Sequence, residues 1–433
     1  MKEFFNTLKI DYGKCPPDCS LCAEACINGT KEEAKITPIH LSETGSHGVL
    51  ACNQCGEPRC LEICPVRAIT KSETDGIVRI DEEKCVGCTL CTLACPYGGI
   101  HYNLATKKSF KCDHCDGQPR CVEVCPHGVL SYIKNRDIYS YYKCDDRVTP
   151  GNALCVGCTA ELALRFTLRV VGEDTIFFAS PGCATLAMIG VIPDGALSKV
   201  PVSLCLLTNT DALMTGVKRH YRSIGRDVRL VAFIGDGATA DAGFQSLSGA
   251  AERGENIIHI CYDNEAYMNT GIQRSSTTPY QGWTTTTAVG KTVQGKQEPG
   301  KYMPLIMASH GIPYVATASV AFPEDYAQKL TKAMAVKDGM AYIHLLTPCP
   351  TGWLASSNSG IEISMMAVET NYFPLWEAEN GKFRFTYSPK EVQPVQEYTK
   401  LMGRFSHFKE GDLENFQRTI DDRVALLSHL CSL

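Results

Sequence analysis

Between Cys15 and Cys125 the chain places sixteen cysteines in four runs of four, and no other feature narrows its fold so far. The runs are Cys15, Cys19, Cys22 and Cys26; Cys52, Cys55, Cys60 and Cys64; Cys85, Cys88, Cys91 and Cys95; and Cys112, Cys115, Cys121 and Cys125. The third is C-x2-C-x2-C-x3-C followed by Pro96, the bacterial iron–sulfur ferredoxin spacing. The second and fourth lengthen only the gap before the third cysteine and keep the proline, as Pro65 and Pro126. Short loops let three thiolates wrap one cluster while the fourth crosses to another. The first run departs from this: its first gap is three residues, and Ile27 stands where the others have proline. A lone C-x2-C suits zinc equally, but zinc sites pair two such units across a longer spacer. Close cysteines before a proline, repeated, point to [4Fe–4S] clusters. Stretches between the runs, such as Gly76 to Asp81, alternate in strand fashion and suit small hairpins.

The other eight of the 24 cysteines are scattered, so cysteine density marks a boundary in the polar stretch Lys143 to Asn152, which carries Pro150 and Gly151. Two domains are expected, over residues 1–143 and 144–433. With 433 residues, 44% of them hydrophobic and 21% charged, the chain has ordinary globular composition and needs no disulfide staples. A formal charge of −5 argues against nucleic-acid and anionic-membrane partners. The best apolar stretch, Ile176 to Ile192, is broken by Ser180, Pro181 and Gly182 and falls short of the roughly 20 residues a membrane span needs. The N-terminal segment has no apolar core and no small-residue cleavage site. These features predict a soluble cytoplasmic protein, whose reduced thiols serve metal or redox chemistry rather than disulfides.

Beyond residue 153 the pattern changes. Thr175 to Ala179, Val228 to Ile234, Asn256 to Tyr262, Tyr314 to Ala318 and Ala341 to Leu346 read as buried strands. Thr159 to Val171, Ala240 to Arg253, Lys301 to His310 and Pro323 to Lys337 read as amphipathic helices between them. The alternation predicts an α/β fold with a doubly wound parallel sheet, preceded by a small α+β polyferredoxin domain. One strand runs into Gly235, Asp236 and Gly237, and the next into Asp263, Asn264, Glu265 and Ala266. Asp236 and Asn264 are 28 residues apart, on two successive strand ends. That places two oxygen donors on one sheet edge, as hard Mg²⁺ or Ca²⁺ requires. The helix start after Gly237 can hold a pyrophosphate on its free N–H groups. A lone Gly-Asp-Gly is usually a turn, but with this strand, helix and asparagine spacing it is the thiamine diphosphate signature.

On these residues the chain from about 155 to 430 resembles the thiamine diphosphate beta subunit of pyruvate:ferredoxin and related 2-oxoacid:ferredoxin oxidoreductases. The likeness runs through GDGATADAGFQSLSGAAERGENIIHICYDNEAYMNTGIQRSSTTPY and on through WTTTTAVGK, HGIPYVATAS, PCPTGW and EYTKLMGRF. The resemblance implies that Asp236, Asn264 and the Ala266 carbonyl hold the metal. It implies that Gly235, Gly237, Asp263 and Thr270 contribute to the cofactor site, and that Asn269 faces its substrate end. It also implies one [4Fe–4S] cluster close to the thiamine, on Cys155, Cys158, Cys183 and Cys349, which makes five clusters in all. The N-terminal runs resemble four-cluster ferredoxin subunits found beside molybdopterin and formate-linked enzymes, in which the runs pair inside-out. Carried over, Cys15, Cys19 and Cys22 join Cys125; Cys112, Cys115 and Cys121 join Cys26; Cys52, Cys55 and Cys60 join Cys95; and Cys85, Cys88 and Cys91 join Cys64. Of the four cysteines left over, Cys205 and Cys261 read as core thiols, Cys144 lies near the boundary, and Cys431 has no marked context.

The activity so implied is oxidative decarboxylation of a 2-oxoacid, with the electrons leaving through the clusters to ferredoxin or to a flavin and NAD subunit. The glutamate that activates thiamine comes, in this family, from an alpha partner. Glu161, Glu252 and Glu265 are present here without a context that marks them for that role, so alpha and further subunits are expected. The fused four-cluster segment departs from the usual separate subunit and suggests a non-standard member, whose 2-oxoacid is pyruvate-like or aromatic, such as phenylglyoxylate. Two rival readings are an electron-transfer scaffold with a vestigial thiamine site and a non-oxidative thiamine decarboxylase.

Overall fold

The computed structural model describes residues 4–10, 15–16, 19–30, 34–41, 46–55, 58–95, 97–136, 147–149, 152–189 and 198–432. Cys144, Pro150, Gly151 and the end of the Ile176–Ile192 stretch lie outside the described residues. The chain packs as two compact units, Met1–Lys143 and Cys144–Leu433.

The first unit is built from two-stranded antiparallel ribbons. Its strands are β1 (Phe4–Ile10), β2 (Thr37–Leu41), β3 (Ser46–Leu50), β4 (Ile69–Lys71), β5 (Val78–Ile80), β6 (Ile100–Asn103), β7 (Lys108–Lys111) and β8 (Leu130–Arg136). β2 pairs with β3, β4 with β5 and β6 with β7, while β1 pairs with β8 and so ties the two ends of the unit together. The hairpin expected around Gly76–Asp81 is the β4–β5 ribbon, with Ile69 opposite Ile80. Each cysteine run feeds a helical turn. Arg59–Glu62, Leu90–Ala94 and Arg120–Glu123 stop just short of a Cys-Pro pair, where proline has no N–H to continue the helix. The first run lacks that proline, and its helix, Leu21–Thr30, continues through Cys26 and Ile27.

The second unit is a sheet with strands β9 (Thr175–Ala179), β10 (Val202–Leu204), β11 (Arg229–Gly235), β12 (Ile258–Asp263), β13 (Tyr314–Ser319), β14 (Ala341–Leu346), β15 (Trp376–Glu379) and β16 (Lys382–Phe385). The order is β10-β9-β11-β12-β14-β13-β15-β16. The first six are parallel, and the last two are antiparallel, so the wholly parallel sheet expected from sequence is extended by a hairpin edge. Every residue of β12, β13 and β14 is buried, so both faces are covered and no alternation appears in their sequence. On one face Leu230, Ala232 and Ile234 meet Met214, Leu247, Ala250, Met303 and Met307 from three helices. A second core, from Trp353 and Ile363 through Tyr398 and Phe405 to Ile420, gathers the last three helices.

The predicted strands stand within two residues of their observed ends. The helix expected from Ala240 begins instead as a wide turn, Gly237–Ala242, which runs into Phe244–Glu252. Several elements carried no clear sequence signal. They are β10, the helices Thr210–Ser223, Gly360–Glu369 and Glu410–Ser432, and the β15–β16 hairpin. From β9 the chain steps outward to β10, then crosses back over β9 to form β11. The strand order thus reverses between β9 and β11, and their carboxyl ends open a crevice, the place where ligands bind in such sheets.

Candidate functional site

Both halves of the sequence motif converge on that edge. Gly235 ends β11, and Asp236 and Gly237 follow it at the head of the wide turn. Asp263 ends β12, and Asn264, Glu265 and Ala266 follow. Strands β11 and β12 are paired neighbours, with Gly235 opposite Tyr262, so the two strand ends lie side by side. The Asn264 side-chain oxygen faces only other oxygens. Its position is 3.1 Å from Asp236 Oδ1 and 2.8 Å from the Ala266 carbonyl oxygen. Turned over, the amide would donate to both; as it stands, three oxygens meet without a proton between them. Such a corner repels itself in the absence of a cation and could hold a hard divalent ion. All three residues are buried.

A buried polar chain backs the corner. The Thr277 hydroxyl lies 3.0 Å from Asp236 Oδ2 and 2.9 Å from Asp263 Oδ1. Asp263 Oδ2 takes a hydrogen bond from His344 Nε2 at 2.8 Å, which leaves His344 Nδ1 to accept from the Tyr342 hydroxyl at 2.7 Å. The Glu265 N–H donates to Asp263 Oδ1 at 2.8 Å. Burial first, and then the charge of Asp263, pushes the Asp236 carboxyl well above its ordinary range. A divalent ion would offset that cost.

Glycine is required where the crevice is tight. A methyl at Gly237 would stand 2.4 Å from the Tyr267 ring, whose hydroxyl donates to the Gly237 carbonyl at 2.8 Å. Tyr262 fills the floor between β9 and β11: a methyl on Gly182 or Gly235 would lie 3.0 or 3.2 Å from its hydroxyl oxygen. That oxygen accepts the Ala184 N–H at 3.3 Å. Asn269 and Thr270 are exposed just beyond, and Thr270 Oγ1 donates to Gln273 Oε1 at 2.6 Å.

Cys183 opens the helix Cys183–Met188 directly after β9, beside the same crevice. Cys155 and Cys158 lie in the loop before the helix Thr159–Val171, and Cys349 follows β14. Burial, and then Cys158, Cys349, Cys155 and Asp236, pushes the Cys183 thiol up to about 12. Burial also raises Cys158 to about 11, with Cys349 and Cys155 adding to it. Cys158, Cys183 and Cys349, each raised by burial and by neighbouring cysteines, together with Cys155 suit a multi-iron core, which would balance their charge. The Gly352 N–H donates to Cys349 Sγ at 3.3 Å.

In the first unit the cysteines gather by fours. Cys15, Cys19, Cys22 and Cys125 line one cavity, and Cys26, Cys112, Cys115 and Cys121 line another. Burial and then Cys52, Cys95 and Cys55 push the Cys60 thiol up to about 11, against the pull of Lys111. Cys91 is raised by burial and by nearby Cys85 and Cys88, and it shares a core with Cys64. Two hydrophobic cores repeat this division: one joins the first and fourth runs, the other the second and third.

Sequence reasoning missed the surroundings of Glu265. This residue is buried with a left-handed backbone (φ 62°) and pairs with Arg404 Nη1 at 2.5 Å and the Tyr372 hydroxyl at 2.5 Å. Arg404 in turn stacks 3.6 Å over Trp353, whose Nε1 donates to the Asn264 carbonyl at 2.8 Å. Asp211, His259 and Thr239 form a second buried chain below the wide turn, at 2.9 and 3.1 Å. Glu161 is held by Arg165 at 2.9 Å, and Glu252 faces solvent. Cys205 and Cys261 are buried, Cys431 is half-buried, and Cys205 neighbours no cysteine of the four. Among the described residues, no helix is long and apolar enough to cross a membrane.

A parallel sheet with an oxygen-lined corner on its carboxyl edge, next to the switch point and flanked by four cysteines, defines a thiamine-binding class with iron–sulfur redox chemistry. Residues 201–345 match the family "thiamine pyrophosphate enzyme, C-terminal TPP binding domain", and residues 48–135 match the "4Fe-4S dicluster domain". The beta subunit of NADH-dependent phenylglyoxylate dehydrogenase from Aromatoleum evansii is 44% identical over 431 residues, 97% of this chain and 96% of that one. Pyruvate synthase subunit PorB of Methanothermobacter marburgensis is 47% identical over 278 residues, 64% of this chain and 96% of the other. Ketoisovalerate oxidoreductase subunit VorB of Pyrococcus horikoshii is 43% identical over 291 residues, 65% of this chain and 93% of the other. The chain belongs to the thiamine diphosphate-dependent, electron-transferring beta subunits of the 2-oxoacid oxidoreductases, here carrying an iron–sulfur segment at its N-terminal end.

Proposed function

We propose that this chain binds thiamine diphosphate through Mg²⁺ and carries five [4Fe–4S] clusters in a complex that oxidatively decarboxylates an aromatic 2-oxoacid of the phenylglyoxylate kind. The observation that carries the reading is the three-oxygen corner of Asp236, Asn264 and Ala266 beside Cys183 at one sheet edge. When bound, thiamine diphosphate supplies a carbon nucleophile for the keto carbon and a sink for the electron pair freed as CO₂ leaves. In this reading Asp236 Oδ1, Asn264 Oδ1 and the Ala266 carbonyl hold the metal, and Asp263 holds the loop through the Glu265 N–H. Gly235 and Gly237 keep the backbone open, and the turn after Gly237 offers N–H groups to the pyrophosphate. Thr270 adds to the cofactor site, and Asn269 faces its substrate end. Cys155, Cys158, Cys183 and Cys349 would hold a [4Fe–4S] cluster, a one-electron acceptor, beside the cofactor. The four N-terminal sets would hold four more clusters, whose one-electron chemistry suits delivery to ferredoxin or to a flavin and NAD subunit.

The buried pairing of Glu265 with Arg404 supports an activating glutamate from outside the chain, contributed by an alpha subunit. The aromatic substrate rests on the relative that shares 97% of this chain; the pyruvate and ketoisovalerate relatives match only 64 and 65%. The test is a screen of 2-oxoacids for viologen reduction, with and without coenzyme A, using the co-purified complex and this chain alone. Phenylglyoxylate should be the preferred substrate and the chain alone should be inactive. Activity without a partner, or aldehyde release without acceptor reduction, refutes the reading.

A further inference from the structure

Lys111 is buried, only 4% exposed, at the end of β7 and next to Cys112. Its ammonium donates to the Cys112 carbonyl at 2.9 Å, to Gln54 Oε1 at 3.3 Å and to the Val78 carbonyl. Gln54 lies in the loop between Cys52 and Cys55, in left-handed backbone (φ 49°). It donates from Nε2 to the same Cys112 carbonyl at 2.7 Å and accepts the Val78 N–H at 2.8 Å. Lys111, Gln54, Cys112 and Val78 therefore close a ring that stitches the second cysteine run to the fourth. All three acceptors of Lys111 are neutral, and among the described residues no carboxylate pairs with it. A buried ammonium without a counter-charge is costly. The anions that remain nearby are the thiolates of two cysteine sets: Lys111 opposes the rise of Cys55 and Cys60 in one and of Cys112 in the other.

We propose that Lys111 is the fixed positive charge at the joint between two clusters, one on Cys52, Cys55, Cys60 and Cys95 and one on Cys26, Cys112, Cys115 and Cys121, and that it raises the reduction potential of both. The inference rests on the cluster assignment above. Each cluster takes one electron from its neighbour in the chain of clusters, no bond forms or breaks, and its net negative charge grows by one. A fixed cation stabilises that added charge. The set on Cys52, Cys55, Cys60 and Cys95 shares its two runs with the set on Cys64, Cys85, Cys88 and Cys91, and the other shares its two runs with the set on Cys15, Cys19, Cys22 and Cys125, so the pair that Lys111 joins forms the middle of the path. Raising both potentials makes the middle hold an electron more readily than it would without Lys111.

The experiment is an EPR-monitored redox titration of the intact complex, native and with Lys111→Met, Lys111→Arg and Gln54→Glu, each with its iron content measured. Across about 10 Å at an effective dielectric near 20, one charge is worth roughly a tenfold change in the ratio of reduced to oxidised cluster. For one electron that is about 59 mV. Lys111→Met should lower two cluster potentials by about this much, and Lys111→Arg should keep them. Gln54→Glu should lower them in the same direction, by setting an anion against the ammonium. If Lys111→Met fails to assemble, Gln54→Glu decides. Native iron with unshifted potentials in the deciding variant overturns the proposal. Native protein without cluster signals from the N-terminal unit overturns instead the cluster assignment beneath it.

Discussion

Replacing Gly237 by alanine should weaken thiamine diphosphate binding through one neighbour, Tyr267. Gly237 is not in the left-handed region, so an alanine there meets no backbone strain. The obstacle is contact: the new methyl would lie 2.4, 2.6 and 2.7 Å from three carbons of the Tyr267 ring, where ordinary carbon contacts fall near 3.5–4.0 Å. Either the ring or the turn has to move by about 1 Å. Overpacking of this kind costs about 1–3 kcal/mol. A shifted ring also loses its hydrogen bond to the Gly237 carbonyl, now 2.8 Å long, worth about 1 kcal/mol. The sum, about 2–4 kcal/mol, corresponds to roughly 30- to 1,000-fold weaker cofactor binding if it falls on the bound state. The assay is titration of cofactor-depleted complex with thiamine diphosphate at saturating Mg²⁺, followed by protein fluorescence. In a Tyr267→Ala background the same glycine substitution should cost almost nothing, because the ring it strikes is gone. Native affinity for the single variant, or an equal cost in both backgrounds, refutes the reasoning.

Thr277→Val removes the hydroxyl shared by Asp236 and Asp263 and should weaken Mg²⁺ affinity by about 10- to 100-fold, read from cofactor retention against Mg²⁺ concentration. Cys183→Ala should cost about four iron atoms per chain, whereas Cys205→Ala, a core thiol, should cost none; iron analysis of the two proteins distinguishes them. Arg404→Met strands the buried Glu265 carboxylate and should destabilise the second unit by about 3–5 kcal/mol, while Arg404→Met with Glu265→Gln should recover most of that in urea unfolding. Equal losses in the single and double variants would mean that the pair, as a pair, does not hold this region together.

The strands were readable because a doubly covered strand is a run of apolar residues: TIFFA and AYIHLL leave little choice. The cysteine runs were readable because a short ligand loop has fixed spacing. The helix Thr210–Ser223 was not, because Gly216 interrupts it and Lys218 and His220 mask its apolar stripe. The hairpin β15–β16 was hidden by its alternation of exposed lysine and arginine with half-buried phenylalanine. The corner itself could be placed from Asp236 and Asn264, but its support could not. His344 is 81 residues from Asp263, and Arg404 is 139 from Glu265; contacts so distant leave no local pattern. Glu265 looked like one acidic residue among several, and only its burial and its left-handed backbone set it apart.

The two margins of the large sheet have a consequence for how such a subunit is stored before it joins others. One margin is β10, three residues long, and the other is β16, whose outer residues Lys382 and Arg384 are exposed. A brief margin offers too few free amides to template another strand, and β16 is itself only four residues long, with charged side chains along it. Newly made chains therefore resist stacking sheet to sheet into aggregates while their companions are being synthesised.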